Sequence, residues 1–185
     1  VIYYSIGKED SGKKVLMKIY DQNNKLVRKI TTDPDNSFIS YNGGPSREPV
    51  LSNKIGLNRF VWDSRHSSLT GVPYAYIEGS FRGHKAIPGK YKLTLEVDDN
   101  SYNSEFEILK NPNFSVSDQD YLDLDKYATH MESNFNEMAK YINSNKELLD
   151  KLSVIVKELD ENPEVRENGE KLLELMNSWD KKMMQ

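Results

Sequence analysis

Three histidines, His66, His84 and His130, are the residues best suited to bind a metal or move a proton, and their spacing argues against both roles. They lie in different segments, and none has a second metal-type residue four positions along a helix. They therefore read as surface residues. The run Asp63-Ser64-Arg65-His66-Ser67 resembles a catalytic triad on paper, but triad partners are brought together by the fold and not by adjacency. Glu78, Glu96, Asp98 and Asp99 form no constellation that would place two carboxylates across a glycosidic bond. Asp118, Asp120, Asp123 and Asp125 fall on the opening turns of a predicted helix, where the macrodipole favours negative charge. The Gly and terminal Glu of a calcium-binding EF-hand loop are missing there. With no Cys, the chain has no disulfide, thiolate zinc site or thiol nucleophile. No catalytic residue, cofactor or metal is assigned, and the chain reads as a non-enzyme. Tyr74, Tyr76 and Phe81 are the ligand-binding candidates, because aromatic faces beside polar groups suit sugars and peptides. Against this, the three rings could fold back over the end of the domain that carries them.

The segments that must position these residues fall into two kinds. Residues 14–20 alternate Val15, Met17 and Ile19 with Lys14, Leu16 and Lys18, the period of a half-buried strand. Asp21-Gln22-Asn23-Asn24 supplies a turn into a second strand at 25–30. Further strands are expected at the opening stretch, at 56–63, at 89–97 and at 102–109. Trp62 reads as core, with its indole N–H needing a partner. Six or seven short antiparallel strands favour an immunoglobulin-like β-sandwich over residues 1–112. Two long connections, 31–55 and 64–88, are the places to expect a binding surface.

From residue 113 to 185 the period changes to that of a helical hairpin. Tyr121, Leu124, Ala128, Met131, Phe135, Met138, Ile142, Asn145, Leu149, Leu152, Val156 and Leu159 follow a 3-4 spacing, a heptad seam. Ser117 with Asp120 three residues later is a capping-box-like start, although Asp is shorter than the usual Glu or Gln there, and Asn162-Pro163 stops one helix and restarts the next. The second helix, with Val165, Gly169, Leu172, Met176, Trp179 and Met183, is about half as long as the first. Tyr127, Met131, Phe135 and Met138 therefore need another surface: the sandwich, a second copy in a homodimer, or sequence outside the chain. Asn145 suits a register-fixing polar seam residue, or equally a residue near an exposed bend.

Charge and hydropathy exclude some classes. The net charge of −4 divides at Ser115, with 9 basic and 16 acidic residues after it, leaving 16 and 13 before. Neither half has the clustered positive charge of a nucleic-acid binder. No apolar run approaches the roughly 20 residues of a membrane span. The chain opens without Met in a strand-like stretch, which suggests a piece of a longer protein.

One resemblance covers nearly the whole chain. Gly56-Leu57-Asn58-Arg59-Phe60-Val61-Trp62-Asp63-Ser64-Arg65, followed by Ala86-Ile87-Pro88-Gly89-Lys90-Tyr91-Lys92-Leu93-Thr94-Leu95, resembles the C-terminal region of bacterial exported sortilin-like (BNR-repeat) β-propeller proteins, often labelled glycosyl hydrolases. The resemblance implies an Ig-like domain and a helical segment behind an upstream propeller of the same polypeptide, exported from a bacterial cell. The expected function is a non-catalytic accessory structural and interaction region. The alternatives are a sandwich that binds carbohydrate or peptide, a glycan or protein ligand in either case, and a fragment of a glycoside hydrolase.

Overall fold

The computed structural model describes residues 1–73, 75, 78–159 and 162–183. Six strands come first: β1 (Ile2–Ile6), β2 (Val15–Tyr20), β3 (Leu26–Thr31), β4 (Gly56–Phe60), β5 (Gly89–Val97) and β6 (Asn100–Ile108). Two helices follow, α1 (Asp118–Glu158) and α2 (Pro163–Met183). All strand pairings are antiparallel, in a two-stranded sheet β1-β4 and a four-stranded sheet ordered β3-β2-β5-β6.

Alternation decides which face of each strand is buried. Val15, Met17 and Ile19 of β2 are fully buried and pack with Tyr91, Leu95 and Val97 of β5. Tyr4, Ile6 and Phe60 of the small sheet close the same core. Trp62, just past β4, lies edge-on to Tyr91 and Phe106 at 6.2 and 6.0 Å between ring centres. Its indole N–H donates to the Arg65 carbonyl at 2.9 Å, which supplies the partner that a half-buried indole needs. In the β2–β3 turn the Asp21 carboxylate accepts the backbone N–H groups of Asn23 and Lys25, and Asn24 takes the left-handed conformation, φ 58°, that Asn tolerates.

α1 begins at the capping box: Asp120 N–H donates to the Ser117 hydroxyl oxygen at 3.1 Å, and Ser117 N–H donates to the Asp120 carboxylate at 3.1 Å. At about 1.5 Å per residue its 41 residues make a rod of roughly 60 Å. Pro163 opens α2, and the Asn162 side chain accepts the Val165 N–H at 3.4 Å. α2 returns antiparallel along the far half of α1, placing Gly169 beside Val156 and Trp179 near Met138 and Tyr141.

The near half of α1 departs from the expected seam. The column Tyr121, Ala128, Phe135, Ile142, Leu149, Val156 turns inward along the whole helix, buried or half-buried throughout. Its companion column changes. Against α2 it is the expected one, with Asn145 and Leu152 half-buried, and among the described residues the Asn145 side-chain amide nitrogen has no hydrogen-bond partner. Nearer the β-domain, Leu124, Met131 and Met138 are exposed, and the inward residues are Asp125, Glu132 and Ala139, one position later. The apolar pattern misplaces this stripe because two of its three residues are acidic, and acidic residues turn inward only where partners await them.

Candidate functional site

The second long connection forms the seat for α1. Its two limbs run side by side: His66 N–H donates to the His84 carbonyl at 2.9 Å, Ala86 N–H to Ser64 at 2.8 Å and Leu69 N–H to Phe81 at 2.7 Å. Gly83 permits this approach, since a Cβ there would stand 2.4 Å from the Ser67 carbonyl oxygen. From below, the buried Arg28 guanidinium donates to the His66 carbonyl at 2.6 Å and pairs with Glu48.

On this platform the two imidazoles stack, ring centres 3.8 Å apart with 22° between their planes. Their side chains are only 12% and 14% exposed, so the expectation of surface histidines holds for His130 and fails for His66 and His84. α1 supplies two carboxylates one above the other. Asp125 Oδ1 lies 3.0 Å from His84 Nε2 and 3.6 Å from His66 Nε2. Glu132 closes on His84 from the next turns, with Oε2 2.8 Å from Nδ1 and Oε1 accepting the His84 backbone N–H at 2.6 Å. Burial, and then the neighbouring His84 ring, push the His66 imidazole down to about 4, so it is neutral at physiological pH.

Further along, the contacts become weaker and then apolar. Thr70 N–H donates to Asn136 Oδ1 at 2.7 Å and Asn143 Nδ2 to the Gly71 carbonyl at 2.9 Å. Val72, Ala139 and Ile142 make a small buried cluster, with Ala75 and Phe135 against it. Phe81 is buried, edge-on to Phe135 at 6.2 Å, so its ring faces the helix. Tyr74 and Tyr76, the other two aromatic candidates, lie outside the described residues. Of the four helix residues expected to seek a surface, Phe135 meets the β-domain, whereas Tyr127, Met131 and Met138 do not and are 66%, 50% and 40% exposed.

Sequence reasoning missed the cluster because its members come from both limbs of one loop and from a helix that starts more than thirty residues later. One signal was present: Asp125 and Glu132 are seven apart, so they share a helix face beside the inward column of Ala128 and Phe135. Chemically, the site gathers two imidazoles and two carboxylates under partial cover, able to hold a cation or a proton. Comparison with protein-family models, curated proteins and solved structures finds no match for this chain.

Proposed function

We propose that the chain is a non-catalytic accessory region of a larger exported propeller protein, in which an Ig-like β-sandwich carries a stiff helical arm that docks on the propeller of the same polypeptide. One observation carries this reading. Leu124, Tyr127, Met131, Met138, Tyr141 and Leu148 form an exposed apolar stripe along α1, while the adjacent stripe is committed to the β-domain. A stripe of this kind, on a helix already anchored elsewhere, is the surface of a docking element. The resemblance around Trp62 supports the choice of a propeller as the partner.

Co-expression of the chain with the propeller-bearing segment as a separate polypeptide tests it. The expected result is a 1:1 complex in sedimentation, weakened at least tenfold by Tyr127→Glu with Met131→Glu. Absence of a complex, or one indifferent to these substitutions, overturns the reading. A self-dimer dissolved by the same pair would assign the stripe to a second copy of the chain.

A further inference from the structure

We infer that His66 Nε2, His84 Nε2 and Asp125 Oδ1 form a binding site for a divalent transition metal of the zinc class, which pins α1 to the β-domain. One ligand atom from each of these three residues lies within 4.8 Å of the other two. Around a zinc ion with bonds of about 2.0–2.1 Å, neighbouring ligand atoms of a tetrahedron are about 3.3 Å apart. The distances from Asp125 Oδ1 to the two nitrogens, 3.0 and 3.6 Å, bracket that edge.

Hydrogen-bond bookkeeping points the same way. The Glu132 carboxylate only accepts, so the proton of a neutral His84 sits on Nδ1 and the Nε2 lone pair faces Asp125. Asp125 is also an acceptor, and two acceptors 3.0 Å apart require a positive charge between them. A proton on His84 Nε2 would satisfy that pair and leave His66 Nε2 unused at 3.6 Å, too far for a hydrogen bond. A metal ion uses both nitrogens and the oxygen at once. Glu132 then takes the place that a carboxylate holds behind a metal-bound histidine, fixing the ring's tautomer and orientation. Two imidazoles and one carboxylate are a donor set for borderline ions such as Zn²⁺, in preference to Mg²⁺ or Ca²⁺, which favour oxygen. To converge on one ion the two rings must open beyond their present 22°, a rotation of each about its last side-chain torsion. The site goes beyond the accessory reading and does not depend on what the apolar stripe binds.

Calorimetric titration of the whole chain with zinc chloride after chelator treatment tests the site. One Zn²⁺ per chain is expected, with a rise in melting temperature that a chelator reverses and that Mg²⁺ and Ca²⁺ do not produce. Asp125→Asn and His66→Ala should abolish binding, Glu132→Gln should weaken it about 10- to 100-fold, and His130→Ala should leave it unchanged. Should the variants fold poorly, imidazole nitrogen resonances of the unaltered chain give the answer: zinc must shift His66 and His84 and spare His130. A chain that takes up no Zn²⁺ at hundreds of micromolar overturns the inference, as does binding that moves His130 alone. If the stripe fails to find a propeller while zinc still binds, the accessory reading falls and the metal site stands.

Discussion

The two halves of α1 are one continuous helix held by opposite means. The far half meets α2 where Gly169 lies beside Val156, on a stripe that continues through the buried Leu149 and the half-buried Leu152, side chains with no directional demand. The near half meets the β-domain through Asp125, Glu132, Asn136 and Asn143, each aimed at a named polar partner, with Val72, Ala139, Ile142, Phe81 and Phe135 among the apolar filling. Apolar packing tolerates sliding, whereas a carboxylate that must meet a backbone N–H and a ring nitrogen together sets one register. The arm's direction is therefore fixed at the polar end, and its stiffness is built at the apolar one.

The chain's two tryptophans separate these contributions, since Trp62 reports on the β-domain and Trp179 on the hairpin. The largest effect is expected from Ile142→Ala, which empties the small cluster under the near half. It should cost about 2–4 kcal/mol in the helical signal on urea denaturation, with the Trp62 midpoint unmoved. A joint shift of both signals would show that the two regions unfold as one unit and would remove the distinction. Glu132→Ala comes next, at about 1–3 kcal/mol, because the partly covered His84 N–H loses its acceptor. Glu132→Gln should recover part of that loss, since an amide oxygen can accept the same N–H. Hydrogen exchange should locate the damage in the near half and leave α2 protected.

The same contrast explains what could be read from the chain and what could not. The strands at Val15–Tyr20 and Gly89–Val97, the cap at Ser117 and the restart at Pro163 are local, written in alternation, capping chemistry and the missing N–H of proline. The far seam was legible for the same reason, because α2 presents apolar residues at matching intervals. The near seam and the histidine cluster were not. Whether Asp125 faces solvent or imidazole depends on a loop that Gly83 lets close on itself, and no local pattern around Asp125 carries that information. The rings of Phe81 and Phe135 meet across more than fifty residues for a similar reason.

At the far half the sharpest probe is Gly169, on α2. A Cβ there would stand 2.5 Å from Val156 Cγ2. Alanine would gain about 1 kcal/mol in helix propensity, yet valine in a helix has essentially one side-chain rotamer and cannot swing aside. The contact should win, and Gly169→Ala should destabilise the hairpin by about 1–2 kcal/mol as reported by Trp179. Val156→Ala in the same chain should relieve the clash, giving a favourable coupling in a double-mutant cycle. Additive effects would mean that the helices do not approach as closely as the Gly169–Val156 contact requires.

The smallest effect is expected at the start of the near half, where the cap is exposed and independent of the histidine cluster. Ser117→Ala removes the hydroxyl that accepts the Asp120 N–H and donates to its carboxylate at 2.6 Å, and should cost about 1 kcal/mol of helix stability. The Ser117 hydroxyl, and then the Ser117 backbone N–H, hold the Asp120 carboxyl below its ordinary value. A carboxyl with a lowered folded-state value contributes stability that is present above its unfolded value, roughly 4, and is lost as pH falls through the folded one. The native chain should therefore lose this increment only in acid below that range, whereas Ser117→Ala should lack most of it at neutral pH and show a flatter acid limb. Helical circular dichroism against pH, with Trp62 emission as the control for the β-domain, reads both. An acid limb unchanged by the substitution would show that the near half takes its stability from the contacts of Asp125 and Glu132 with His84 and from the small apolar cluster, with nothing from the cap.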